Sequence, residues 1–142
     1  MGERILLVDD EKDFIETMAE RMKNRGMDVT TTTSPVDALK KVEESSFDAV
    51  ILDLMMPEMD GIETLARLNE KNPDIQVILL TGHATVEKGI EAMKLGAMDF
   101  VEKPIDLKAL SEKIKKAQAR KMILVEKRTE EKIKNIISEK GW

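Results

Sequence analysis

Five short apolar runs, each followed by an amphipathic stretch, limit what this chain can fold into more than any other feature. The runs are RILLV (4–8), MDVTTTTS (27–34), FDAVILD (47–53), IQVILLT (75–81) and MDFVEKP (98–104). Runs this short, bounded by turn residues, read as strands, and the β-branched second run reads as the more exposed one. The stretches between them read as helices. In DFIETMAERMKNRG (13–26), Phe14, Met18 and Met22 follow helical spacing and Gly26 supplies a stop. Ser34-Pro35 gives an N-cap followed by proline at the first helical position, launching VDALKKVEES. Gly61 opens IETLARLNEK, which Asn72-Pro73 ends, and Gly96 closes ATVEKGIEAMKLG (84–96). From Asp106 the pattern is helical almost to the end. Strands alternating with helices predict an α/β fold, a doubly wound parallel sheet with right-handed crossovers.

Composition narrows the function classes. The chain has 142 residues, 42% hydrophobic and 36% charged, enough for one domain with a real core and an appendage. No run approaches the roughly 18 to 20 apolar residues of a membrane span. The opening MGERILLVDD turns acidic within ten residues, unlike a signal or transit peptide. With no cysteine there is no disulfide framework and no thiol site, and a cytoplasmic location is the expectation. A net charge of −5 and 3% aromatic residues disfavour direct nucleic-acid binding, which needs a basic footprint or a stacking platform.

The polar residues collect where an open α/β sheet binds its ligands, beyond the carboxyl ends of the strands. Asp9-Asp10 follow the first run, Asp53 ends the third, Thr81 the fourth and Glu102-Lys103 the fifth. Asp53 stands out, because Val50, Ile51, Leu52 and Leu54 surround it and a carboxylate there is costly unless bonded, paired or on a metal. If strands one and three are neighbours, as in the order 2-1-3-4-5, three carboxylates converge on one pocket. Their mutual repulsion would be relieved by a hard divalent cation, and an oxygen-only ligand set suits Mg²⁺. Each residue taken singly has a plainer use: Asp10 as the N-cap of the helix near Lys12, Thr81 as a cap, Lys103 as a solvated loop residue. Their coincidence at four strand ends favours a site.

Asp9-Asp10, ILDLMMPEMDGIE, LLTGHA and FVEKP together resemble the receiver domain of two-component response regulators, over about Arg4 to Ala119. The resemblance implies a flavodoxin-like five-stranded sheet of order 2-1-3-4-5. It implies that Asp53 is the phosphoacceptor for a sensor histidine kinase or phosphotransfer protein, attacking as a carboxylate nucleophile. Asp10 and Asp53 would hold Mg²⁺ with the backbone carbonyl of Met55, helped by Asp9. Lys103 would pair with a phosphoryl oxygen, and Thr81 would donate to another once Asp53 is phosphorylated. A cis peptide is implied between Lys103 and Pro104. Phe100 matches the aromatic of the conformational switch, as Phe rather than the common Tyr, with an ordinary core aromatic as the plainer reading. His83 and Met55 match the positions that flank the attacking water and set the lifetime of the acyl phosphate. Such a domain acts on itself and has no turnover on an external substrate beyond the phosphodonor.

Three other classes compete. A phosphatase of the haloacid dehalogenase type would need a second aspartate where Met55 stands. A dinucleotide binder would need glycines where VDDEKDF stands. A receiver-like module that is never phosphorylated is distinguished by incubation with a phosphodonor.

Residues 1–119 are the expected receiver and 120–142 a helical extension or linker. Ile114, Gln118, Met122, Val125, Thr129, Ile133 and Ile136 form a largely apolar stripe at three- and four-residue spacing. A helix from about Asp106 to Glu139 would run roughly 50 Å and project beyond the domain. Its stripe predicts a parallel coiled coil or helix-swapped homodimer, against a helix that folds back or a frayed linker. TGHATVEKGIEAMKLGAMDFVEKP is similar to receivers of nitrogen-regulator-type transcription activators, so the chain is expected to be either a single-domain regulator or a receiver-plus-linker piece.

Overall fold

A computed structural model describes residues 2–56, 59–82 and 86–139. The elements run β1 (Arg4–Val8), α1 (Lys12–Asn24), β2 (Asp28–Thr32), α2 (Pro35–Glu44), β3 (Ala49–Asp53), α3 (Gly61–Lys71), β4 (Val77–Thr81), α4 (Val86–Lys94), β5 (Asp99–Glu102) and α5 (Leu107–Glu139). The strands form one parallel sheet in the order β2-β1-β3-β4-β5. This is the doubly wound flavodoxin-like arrangement, with the chain reversing direction across the sheet between β1 and β3.

The sheet is buried on both faces, and alternation of side chains along each strand divides the core in two. Ile5, Leu7, Ile51, Ile78 and Leu80 meet Ile15, Met18 and Met22 of α1 and Leu110, Ile114 and Ala117 of α5. Leu6, Val8, Val50, Leu52, Val77 and Leu79 meet Ala38 and Leu39 of α2, Leu65 and Leu68 of α3, and Ala92 of α4. β3 and β4 are buried at every residue, so their continuous apolar runs follow from having helices on both sides.

Local signals set the helix ends. The Ser34 hydroxyl accepts from the Asp37 amide ahead of Pro35, and Asp60 Oδ1 accepts from the Glu63 amide at 2.9 Å. Gly26 and Gly96 adopt φ of +89° and +107°, a left-handed conformation that glycine takes without a Cβ clash. The strands β2, β3, β4 and β5 each begin later than their apolar runs. Phe47 and Ile75 are buried ahead of β3 and β4 rather than paired in them, and Met27 is buried in the turn before β2.

α5 continues far past the sheet. Ile114 is wholly buried in the core, so it belongs to intrachain packing and not to a stripe offered to a partner. The helix next leans on the loops that precede β3 and β4. Lys121 Nζ donates to Ser46 Oγ at 2.6 Å and to the Phe47 carbonyl at 2.7 Å, and Arg128 Nε pairs with Asp74 at 2.7 Å. Beyond this root, Ile133 and Ile136 are exposed by half. No helix among the described residues is long and apolar enough to cross a membrane.

Candidate functional site

The site forms where β1, β3, β4 and β5 end together. Hydrogen bonds of the sheet fix this end: the Asp9 amide donates to the Thr32 carbonyl, Leu54 to Leu80, and Lys103 to Thr81. Asp53 lies opposite Leu80, and Thr81 opposite Glu102. Asp9, Asp10, Asp53, Thr81 and Lys103, far apart in sequence, are thereby brought to one edge.

One oxygen from each of Asp9, Asp10 and Asp53 lies within 4.8 Å of the others. Their environments differ. Asp9 is fully buried: Oδ1 accepts from the Glu11 amide at 2.9 Å, and Oδ2 accepts from Lys103 Nζ at 3.0 Å. Asp53 is 5% exposed, and its Oδ1 accepts from the Met55 amide at 3.2 Å. Asp10 is exposed. The plainer use of Asp10 as a helix cap does not hold, because the N-cap of α1 is Glu11, which makes no side-chain cap bond.

Burial pushes the Asp53 carboxyl up to about 6 from 3.8, against the lowering effect of the Met55 amide. The charge of Asp9 raises it further, Lys103 opposes, and Asp10 adds a smaller upward push. Lys103 bridges the acids, 3.0 Å from Asp9, 3.5 Å from Glu11 and 4.0 Å from Asp53. Desolvation alone would lower its pKa. The hydrogen bond to Asp9 and the charges of Asp53, Asp9 and Glu11 outweigh that, so the ammonium is held above its usual 10.5.

Thr81 is fully buried, and its hydroxyl makes a long 3.5 Å bond to the Val101 carbonyl. A bond at that length is weak, so re-aiming the hydroxyl costs little. Phe100 is half-buried against the core face built on Leu79. The Lys103–Pro104 peptide is cis. Met55 is 55% exposed at the mouth of the pocket, and His83 lies outside the described residues.

Glu11 and Phe14 complete the surroundings of Lys103, and the sequence pattern does not single them out. Glu11 reads as one more acid after an acidic pair. Phe14 reads as one of a helical stripe, yet its ring centroid lies 4.5 Å from Lys103 Nζ.

A parallel sheet of this order, with three carboxylates, a buried threonine and a lysine at its carboxyl edge, defines an aspartate-centred site at a topological switch point. The response regulator receiver domain family matches residues 5–115, and the chain belongs to that family. It is 39% identical over 115 residues to the transcriptional regulatory protein ZraR of Salmonella typhimurium, covering 81% of this chain and 26% of that protein. It is 36% identical over 104 residues to a putative NtrX-like response regulator of Rickettsia bellii, covering 72% of this chain and 22% of that one. The chain thus spans about a quarter of the length of these relatives. Among solved structures, a response regulator receiver domain protein from Clostridium thermocellum superposes with a TM-score of 0.82 at 34% identity, over 86% of this chain and 98% of that one. NtrX from Brucella abortus gives a TM-score of 0.82 at 27% identity, over 89% of this chain and 29% of that one.

Proposed function

We propose that Asp53 accepts a phosphoryl group from a phosphohistidine on a sensor kinase or phosphotransfer protein, and that the domain switches conformation in response. The single observation that supports this best is a nearly buried Asp53 whose pocket places two further carboxylates and Lys103 around it. Three carboxylate oxygens within 4.8 Å fit a hard, oxygen-seeking divalent cation. Asp9, Asp10 and Asp53 would hold Mg²⁺, joined by the backbone carbonyl of Met55. The ion would neutralise negative charge on the phosphoryl oxygens and on the acids.

The chain's own residues do the rest. An Asp53 oxygen attacks phosphorus, the P–N bond breaks, and its electron pair leaves with the imidazole, which takes up a proton. The Met55 amide, donating to Oδ1, holds the carboxylate in one rotamer for this attack. Lys103 stands on the side where a phosphoryl oxygen would come to rest, and supplies a fixed positive charge. Thr81, weakly held at Val101, is free to turn its hydroxyl to another oxygen, and Phe100 would move into the space that this turn vacates. Met55 and His83 would tune hydrolysis by flanking the attacking water. The protein would have no turnover on a further substrate, and its place would be the cytoplasm.

Incubation with Mg²⁺ and acetyl phosphate tests this reading. Wild-type protein should gain one phosphate by intact mass, and Asp53→Asn should gain none. Absence of a gain with acetyl phosphate, with phosphoramidate and with a phosphorylated histidine donor would favour an unphosphorylated interaction module.

A second reading concerns residues 120–142 as an extension distinct from a receiver of residues 1–119. Met122, Ile123, Val125, Ile133, Ile136 and Ile137 are exposed on a single helix, and a second copy of this chain would cover them as a parallel pair. The names of the relatives support the related idea that α5 is the linker of a larger transcription activator. The length of the natural open reading frame decides that point.

A further inference from the structure

The geometry points to Phe14 as a positioning residue for Lys103: its ring holds the ammonium at the phosphoacceptor pocket through a cation–π contact. This rests on the phosphoacceptor reading of Asp53 and adds a residue to it. A lysine side chain is long and rotatable, and an unrestrained one spends much of its time in water. Here Lys103 Nζ sits 4.5 Å from the Phe14 ring centroid, inside the roughly 6 Å range of the interaction. The charged groups around it are acids, Asp9 at 3.0 Å, Glu11 at 3.5 Å and Asp53 at 4.0 Å. Only 24% of the Lys103 side chain is exposed.

The ring differs from the acids in one respect that matters to the reaction. Asp9 and Asp53 pull less on Lys103 once a divalent cation shares their charge, before the phosphoryl group arrives. The quadrupole of the ring is unaffected by that cation. Phe14 therefore keeps Lys103 in place at the stage when its charge is needed at a phosphoryl oxygen. The ring also consumes none of the three N–H donors of the ammonium, leaving them for oxygen. Phe14 is itself anchored, half-buried and packed against the core face shared by α1 and α5. A leucine would fill the same space and keep the packing, but it has no π face.

The test compares Phe14→Leu with Phe14→Tyr, both retaining bulk and the second retaining the ring. The rate of phosphate gain from acetyl phosphate with Mg²⁺ should fall about two- to fivefold in F14L and stay near wild type in F14Y. The ε-methylene protons of Lys103 report the contact separately by NMR. They should be shifted upfield by the ring in wild type and F14Y, and return to ordinary values in F14L. Similar thermal midpoints for the three proteins establish that each is folded. Unchanged uptake in F14L, equal slowing in F14L and F14Y, or Lys103 resonances indifferent to F14L would each overturn the inference. If wild type itself takes no phosphate, the reading of Asp53 fails and takes this inference with it. If wild type takes phosphate and F14L matches it, only the role of Phe14 is lost.

Discussion

At the scale of the residue, Asp53 carries a cost that the proposed phosphoacceptor role explains. Its carboxyl is pushed up to about 6, so the folded protein binds that proton more tightly than the unfolded chain does. Stability conferred by the fold is therefore full below the unfolded value near 3.8 and declines as pH rises towards about 6. Without metal, Asp53→Asn should be more stable than wild type at about pH 7.5, by about 1 to 3 kcal/mol, and the gap should close below about pH 4. Urea melts at the two pH values in EDTA measure this, and a pH-independent gap would count against it. The tuning of hydrolysis is tested separately. Exchanging Met55 and His83 should change the decay rate of the phosphorylated protein more than about twofold, an effect of the size expected when water access alters without loss of the main charges.

At the scale of the element, the β3–α3 connection decides whether Asp53 is presented correctly. α3 comes so close to the strand end that the Gly61 amide donates to the Leu54 carbonyl at 3.0 Å. A Cβ on Gly61 would lie 2.5 Å from Leu54 Cα, a backbone atom that cannot move aside cheaply. Gly61→Ala should therefore cost about 1 to 3 kcal/mol in stability. It should also slow phosphate uptake, because the displaced Leu54 is next to Asp53. Asp60→Ala, which removes only the cap of α3, should cost about 1 kcal/mol and leave uptake near wild type. Comparison of chemical denaturation with uptake rate separates these two outcomes.

At the scale of the molecule, α5 is two things in one helix. Ile114 is a core residue, and Ile114→Ala should cost about 2 to 4 kcal/mol in the melting of the whole domain. Ile133 and Ile136 are exposed by half, so Ile133→Glu with Ile136→Glu should leave the folding of an isolated monomer unchanged within about 0.5 kcal/mol. If a second copy covers these residues, sedimentation at high micromolar protein should show wild type as a dimer and the double variant as a monomer. A wild-type monomer, phosphorylated or not, removes the homodimer reading. Lys121 and Arg128 tie the root of the extension to the loops before β3 and β4.

The sequence by itself determined the order of elements and a parallel sheet with helices between its strands. Runs such as RILLV and IQVILLT cannot be left in water, and their spacing by amphipathic helices leaves few alternatives to a parallel sheet. It also exposed the site, since acids, a threonine and a lysine stand at the ends of apolar runs where they serve no packing purpose. Tertiary structure decided what depends on partners distant in the chain. Asp9 and Asp10 are neighbours of identical chemistry, yet Asp9 is buried against Lys103 and Asp10 faces water, because the neighbouring strands and the lysine 94 positions away close over only one of them. Ile114 and Ile133 share a helical stripe, but the sheet ends between them, so one is core and the other surface. Phe14 shows the same limit, since periodicity reports that a side chain turns inward and only the fold reveals that a charge lies over its ring.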